Sequence, residues 1–142
     1  MEQASDTGRG GGDAVQVLVV DDQAPFRTAA RAVIARVPGF ALVAEATSGE
    51  EAVELVESLR PSVVIMDINM GEMDGLEATR IITTRHPETF VILVSTYTEA
   101  DMPPAARTCG AAAYVNKDEL SPRSIRRLWE AGGDADWRHD PA

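Results

Sequence analysis

The chain has 142 residues, 44% of them hydrophobic, and a formal net charge of −10. This length fits a single domain with a hydrophobic core. The acidic charge argues against nucleic-acid binding, because a basic surface supplies most of that affinity. The one cysteine cannot form an internal disulfide. No secretory segment follows Met1 and no apolar run approaches about 18 residues, so we expect a cytoplasmic protein that does not contact a membrane.

Residues 1–13 are polar and rich in glycine, and we interpret them as a disordered leader. Residues 14–131 alternate short β-branched apolar runs with amphipathic segments, which predicts one domain, and residues 132–142 are interpreted as a C-terminal tail. The apolar runs have the composition of buried parallel strands. They lie at about residues 15–20, 40–46, 63–66, 90–94 and 112–115.

Start and stop signals place five helices after these strands. The first helix spans about residues 24–36, and the second follows an N-cap at Ser48. The third begins at Gly75, the fourth spans about 103–109, and the fifth follows an N-cap at Ser121. The fourth is short because its two consecutive prolines are tolerated only in a first turn. Five strand–helix units with short connections imply right-handed crossovers and an α/β fold with a doubly wound parallel sheet.

Three carboxylates follow two of the predicted strands. Asp21 and Asp22 come directly after the first strand, and Asp67 comes directly after the third. An Asp-Asp pair alone also fits a helix N-cap or a solvated loop. Ligands of open α/β sheets bind outside the carboxyl ends of the strands, so the three side chains are expected to meet there. Such a cluster favours a hard divalent cation such as Mg²⁺, and a carboxylate beside it can accept a phosphoryl group.

Hydroxyl and ammonium groups follow the fourth and fifth predicted strands. Ser95 and Thr96 end the fourth strand, and Lys117 follows the fifth. All three are expected at the same edge of the sheet as the carboxylates. The ends of four strands thus carry, in chain order, an acid pair, an acid, a hydroxyl and a lysine, which indicates phosphoryl-transfer chemistry.

These motifs, taken together and in order, resemble the CheY-like receiver domain of two-component response regulators. The resemblance covers about residues 14–131. It implies a flavodoxin-like (βα)5 fold with strand order 2-1-3-4-5. The matching pieces are Val19-Val20-Asp21-Asp22-Gln23, Met66-Asp67-Ile68-Asn69-Met70, Met73-Asp74-Gly75, Ser95 and Gly110-Ala111-Ala112-Ala113-Tyr114-Val115-Asn116-Lys117.

The resemblance assigns the phosphoacceptor and the metal ligands. It implies that Asp67 accepts the phosphoryl group. It also implies that Asp22 and Asp67 bind Mg²⁺ directly, together with the backbone carbonyl of Asn69, and that Asp21 acts through a water molecule. Mutual repulsion of the carboxylates and the charge of an incoming phosphoryl group explain the need for a cation.

The resemblance also assigns the switch. Lys117 is expected to contact the phosphoryl oxygens, and Ser95 to hydrogen-bond another of them and so drive the change of state. Thr96 is a rival for this role, but the spacing from Asp67 and Lys117 favours Ser95. Tyr114 is expected to change its exposure as Ser95 moves.

Two features concern access to the phosphoryl group and the mobility of the loop that follows Asp67. Asn69 and Tyr97 are expected to border the water that hydrolyses it, and Thr96 narrows the same side, so these residues should set the lifetime of the phosphorylated state. Gly71 departs from the family pattern, which usually has proline in this loop. Glycine there predicts a more mobile loop.

The leading hypothesis is a stand-alone receiver that is a signalling protein and not an enzyme. A histidine kinase, or a small phosphodonor such as acetyl phosphate, would phosphorylate it, and the face of the fourth helix, fifth strand and fifth helix would bind an unidentified output protein. Arg123, Arg126 and Arg127 form a basic stripe on the fifth helix, which fits either a docking or homodimer surface or a solvated face.

Two other classes remain as alternatives. One is an enzyme of the aspartyl-phosphate phosphatase type, but Asn69 stands where that superfamily has a second aspartate, and the length leaves no room for a cap domain. The other is a scaffold that keeps the fold without phosphorylation. The complete set of acidic, hydroxyl and lysine residues argues against it.

Overall fold

The computed structural model describes residues 14–70, 73–135 and 137. The predicted leader, 1–13, and Gly71 lie outside the described residues. Five parallel strands form one sheet in the order β2-β1-β3-β4-β5, which confirms the predicted fold class and strand order. The strands are β1 (Val15–Val20), β2 (Phe40–Ala46), β3 (Val63–Asp67), β4 (Phe90–Ser95) and β5 (Ala113–Asn116).

The register of the sheet aligns the carboxyl ends of its strands. Val20 of β1 pairs with Met66 of β3, so the residues that follow, Asp21 and Asp67, lie side by side. Asp67 in turn pairs with Val94 of β4. The last pair of β4 and β5 joins the residues immediately before Thr96 and Lys117. The register therefore brings all the predicted polar positions to one edge.

Four α-helices lie within the described residues, and local capping defines their starts. The Ser48 and Asp74 side chains accept hydrogen bonds from the backbone N–H groups of Glu51 and Glu77, three residues on, which satisfies donors that a helix leaves unpaired. Ser121 begins the last helix with a capping box. The helices are α1 (Ala24–Ala35), α2 (Gly49–Leu59), α3 (Gly75–Arg85) and α4 (Pro122–Ala131).

The prediction of a helix at 103–109 was wrong. Only one 3-10 turn forms there, Pro104–Arg107, and another 3-10 turn, Glu99–Asp101, precedes it. Pro103 has an extended conformation, and proline supplies no N–H for a helical hydrogen bond. Gly110, at φ +102°, then ends the segment. The connection between β4 and β5 therefore contains two short 3-10 turns in place of a helix.

Apolar side chains pack on both faces of the sheet. Buried residues of α2 and α3 cover one face, and buried residues of α1 and α4 cover the other. Trp137 is buried in the α2–α3 layer, although it follows α4 and lies in the segment predicted as a tail. Within the described ranges, no helix combines the length and the apolar character that crossing a bilayer requires.

Candidate functional site

Three carboxylates converge at the carboxyl edge of the sheet. Asp21, Asp22 and Asp67 each place one oxygen within 4.8 Å of the others. Asp21 is fully buried and Asp67 is buried, whereas Asp22 is exposed. Oxygen ligands at this spacing suit a hard cation such as Mg²⁺ or Ca²⁺. The predicted acidic cluster is therefore present, with one side open to solvent.

Lys117 is the cation that faces this cluster. Its Nζ lies 2.7 Å from Asp21 Oδ2 and 3.5 Å from Asp67 Oδ1. The same Nζ lies 4.6 Å from the ring centroid of Phe26, on α1, a distance suited to a cation–π contact. One ammonium opposite three carboxylates leaves the site short of positive charge, which fits a place for a divalent cation.

Burial, and next to it the neighbouring charge of Asp21, raise the pKa of Asp67 from 3.8 to about 6. Lys117 and the backbone N–H of Asn69 act in the opposite direction, since both stabilise the ionised form. The desolvated carboxylate therefore carries a cost that a bound cation would relieve.

Asp21 is held more tightly than its neighbour Asp22. Its Oδ1 accepts the backbone N–H of Gln23 at 2.8 Å, and its Oδ2 faces Lys117. Arg27 of α1 donates to the backbone carbonyl of Asp21 at 2.8 Å. Sequence analysis missed Arg27, because an arginine one turn into an amphipathic helix is usually a solvated surface residue. These contacts fix the acidic loop to α1.

The predicted switch residues form one connected group. Ser95 is buried, and its Oγ accepts the backbone N–H of Tyr97 at 3.0 Å. The Tyr114 hydroxyl lies between the carbonyl oxygens of Ser95, at 3.1 Å, and Tyr97, and it can donate to either. Asn116 Nδ2 donates to the same Tyr97 carbonyl at 3.1 Å. The loop after β4 is thus tied to β5 through Tyr114 and Asn116.

The residues expected to border the phosphoryl group lie on the open side. Asn69, Thr96 and Tyr97 are all exposed, and Tyr97 is 41% exposed. Asn69 follows β3 and the other two follow β4. The backbone N–H of Asn69 contacts Asp67, and the effect of all three residues on hydrolysis stays a prediction.

Gly75 allows the start of α3 to lie directly against the end of β3, which carries Asp67. A Cβ atom at this position would lie 1.9 Å from the backbone oxygen of Asp67. The Gly75 N–H also donates to the carbonyl of Ile68 at 2.8 Å. Since α3 begins here against the end of β3, only glycine lets the two backbones approach so closely. Gly75 belongs to the Met73-Asp74-Gly75 motif noted in the sequence, but the sequence alone did not reveal that Gly75 lies against the Asp67 backbone.

The chain is similar to one protein family and to solved structures of that family's fold. The model of the response regulator receiver domain family matches residues 17–128. Two solved structures of the same fold are similar. The receiver domain of Thermotoga maritima CheB has 32% identity and a TM-score of 0.69, covering 90% of this chain and 99% of that one. A LuxR-family response regulator from an Aurantimonas species has 30% identity and a TM-score of 0.74, covering 83% of this chain and 84% of that one.

Curated relatives include longer proteins. The chain is 36% identical over 104 residues to the transcriptional regulatory protein DegU of Brevibacillus brevis, covering 73% of this chain and 44% of DegU. It is 45% identical over 114 residues to a protein-glutamate methylesterase/protein-glutamine glutaminase of Myxococcus xanthus, covering 79% of this chain and 32% of that protein. The chain thus spans less than half the length of these two relatives.

Proposed function

Since the chain belongs to the response regulator receiver domain family, we propose that Asp67 is its phosphoacceptor. The observation that carries this proposal is a buried carboxylate at the end of β3, flanked by two further carboxylates and by Lys117. A histidine kinase or a small phosphodonor supplies the phosphoryl group. A carboxylate oxygen of Asp67 attacks phosphorus, the bond from phosphorus to the donor nitrogen or oxygen breaks, and an acyl phosphate forms.

The cation is Mg²⁺, for which the chemistry of the donor set is suitable. Asp22 and Asp67 would hold it directly with the backbone carbonyl of Asn69, and Asp21 would act through a water. The engagement of both Asp21 oxygens, by Gln23 and Lys117, supports this division. When bound, Mg²⁺ neutralises charge on the carboxylates and the phosphoryl oxygens.

Lys117 and Ser95 act on the phosphoryl oxygens. Lys117 already lies beside Asp21 and Asp67, so a phosphoryl group on Asp67 gives its ammonium a further anionic partner. The Ser95 Oγ accepts one hydrogen bond from the Tyr97 N–H, and its own hydroxyl hydrogen would donate to a phosphoryl oxygen. Movement of Ser95 toward a phosphoryl oxygen would carry the loop after β4 with it, and Tyr114 would respond.

The output face is the surface formed by the 104–107 turn, β5 and α4. A change at Tyr114 alters this face, and an output protein or domain would recognise the difference. We propose a cytoplasmic signalling module that assists its own phosphorylation and dephosphorylation without being an enzyme on another substrate. The net charge of −10 supports a protein partner over direct binding to DNA.

Intact-mass spectrometry after incubation with acetyl phosphate and Mg²⁺ tests this function. One phosphoryl adduct is expected on the wild type, none in the presence of EDTA, and none on Asp67→Asn. Asp101→Asn, in the exposed turn after β4, serves as a matched control and should be labelled normally. A wild type that takes up no phosphoryl group from acetyl phosphate or from any histidine kinase would refute the proposal.

A further inference from the structure

The segment after α4 crosses the β5 edge of the sheet. Gly132, at φ +75°, ends α4 in the left-handed conformation, and Gly133 N–H donates to the Leu128 carbonyl at 2.9 Å. Asp134 N–H then donates to the carbonyl of Ala112 at 2.9 Å, just before β5 begins. This path takes the chain from the α1–α4 layer to the α2–α3 layer.

Trp137 is seated on the side of the sheet where the predicted fourth helix is reduced to a turn. It ranks first by volume among the fully buried side chains, at 1% exposure, and packs in the same cluster as Ala106 and Cys109. The guanidinium carbon of Arg107 lies 4.4 Å from the centroid of its indole ring, and Arg107 Nη1 donates to its carbonyl at 3.3 Å. An aromatic side chain from the C-terminal segment thus fills space beside the 104–107 turn.

The same indole ring contacts the switch tyrosine. The ring centroids of Trp137 and Tyr114 are 5.6 Å apart, with an interplanar angle of 34°. The hydroxyl end of Tyr114 lies between the carbonyls of Ser95 and Tyr97. Tyr114 therefore connects Trp137 at one end of its ring to the loop beside Asp67 at the other.

We propose that Trp137, with residues 132–135, is an intramolecular ligand of the output face that covers it before phosphorylation and leaves it afterwards. The proposal rests on the proposed function of Asp67. In the structure described here, the carbonyls of Ser95 and Tyr97 hold Tyr114 where Trp137 packs on it. Drawing Ser95 toward a phosphoryl group moves those carbonyls, so Trp137 packing favours the unphosphorylated state. A ligand shifts such an equilibrium only through its different affinity for the two states.

Fluorescence quenching measures the release of Trp137. Trp129 is the only other tryptophan, so Trp129→Phe makes Trp137 the sole reporter while keeping a ring against Phe40 and Phe90. Acrylamide should quench this variant weakly in Mg²⁺ alone. With beryllofluoride added as a phosphoryl mimic, we expect the quenching constant to rise about threefold or more. The same protein carrying Asp67→Asn should show no rise.

Fluorine NMR separates two kinds of failure. A bound beryllofluoride signal with unchanged quenching, or with reduced quenching, would overturn the release of Trp137 and leave the phosphoacceptor intact. No bound beryllofluoride and no phosphoryl adduct would overturn the proposed function, and this inference with it.

The affinity for beryllofluoride gives a second, independent measure of the coupling between Trp137 and the phosphorylation site. If Trp137 packing opposes the phosphorylated state, its removal must tighten beryllofluoride binding by the same coupling factor. Trp137→Ala is expected to bind beryllofluoride at least about fivefold more tightly than the wild type. Trp129→Ala, which truncates a half-buried tryptophan in the opposite layer, is the control for destabilisation alone and should not tighten binding. Equal affinity in Trp137→Ala and the wild type would refute the coupling.

Tyr114→Phe tests the connecting residue without emptying the core. The phenyl ring keeps the contact with Trp137 but removes the hydroxyl between the two carbonyls. We expect beryllofluoride to bind this variant while quenching of Trp137 no longer rises. A rise as large as in the parent Trp129→Phe protein would show that Tyr114 does not transmit the change.

Discussion

At the scale of single residues, Asp67 combines burial with a shortage of positive charge. Its pKa of about 6 lies above the ordinary value of 3.8. Between these two pH values the folded protein therefore binds more protons than the unfolded chain. The free energy of unfolding must then fall as the pH rises through this window, as long as no cation is bound.

Replacing Asp67 should remove this penalty. Without Mg²⁺ at pH 7.5, Asp67→Asn is expected to unfold with a free energy about 1–2 kcal/mol above that of the wild type, because each pKa unit corresponds to about 1.4 kcal/mol before solvent screening. Well below pH 3.8, at about pH 2.5, the difference should vanish, since Asp67 is then neutral in both the folded and the unfolded state. Urea unfolding at the two pH values measures this. The same difference at both would show that ionisation is not the cause.

The two adjacent aspartates should differ in their effect on the cation. Asp22→Ala is expected to weaken Mg²⁺ binding about tenfold or more, and Asp21→Ala to weaken it less, because Asp21 already faces Gln23 and Lys117. Calorimetric titration with Mg²⁺ measures both affinities, with Glu50→Ala on the exposed side of α2 as the control. Equal losses, or a larger loss for Asp21→Ala, would reverse the assignment of direct and water-mediated ligands.

Tyr97 and Asn69 should have opposite effects on the lifetime of the acyl phosphate. Tyr97 is expected to obstruct the attacking water and Asn69 to orient it. Tyr97→Ala should therefore speed phosphoryl loss, by up to about 100-fold because placement of a reacting atom can carry that much, and Asn69→Ala should slow it modestly. Phosphate release is followed after the donor is removed, at constant Mg²⁺. An unchanged or longer half-life in Tyr97→Ala would mean that Tyr97 does not shield the site and instead suits a partner contact on the exposed surface.

At the scale of elements, the junction of β3 and α3 holds the phosphoacceptor in place. Gly75→Ala would put a Cβ atom 1.9 Å from the Asp67 backbone oxygen, so the two elements must separate. We expect a loss of about 1–3 kcal/mol of stability and weaker beryllofluoride binding. Gly39→Ala is the matched control. Gly39 has φ +85° with no atom within 4 Å of the added Cβ, so that variant should lose stability without losing binding. Equal binding losses would implicate stability alone.

The elements themselves were largely predictable. The strands agree with their predicted bounds to within one residue, and α3 and α4 begin where their glycine and Ser-Pro signals predicted. Buried β-branched runs and N-caps are local signals, so the sequence carries them directly. The 103–109 segment differed because local pattern does not decide between a short α-helix and a 3-10 turn. That outcome depends on backbone donors the prolines lack and on packing from distant residues.

At the scale of the whole molecule, the convergence of Asp21, Asp67, Ser95 and Lys117 follows from topology. Parallel strands with aligned carboxyl ends put residues far apart in sequence at one edge, so strand order and strand ends were enough to predict the cluster. Trp137 could not be predicted in the same way. Its burial depends on the chain after α4 crossing the β5 edge, and no periodicity within the segment records such a long-range contact.

Chemical mapping of the acyl phosphate identifies the residue that carries the phosphoryl group. Borohydride reduces an aspartyl phosphate to homoserine, and tandem mass spectrometry of the digested protein then locates the converted residue. After treatment with acetyl phosphate and Mg²⁺, we predict homoserine at position 67 alone. Conversion at Asp21, Asp22 or another position, with Asp67 intact, would show that Asp67 is not the phosphoacceptor.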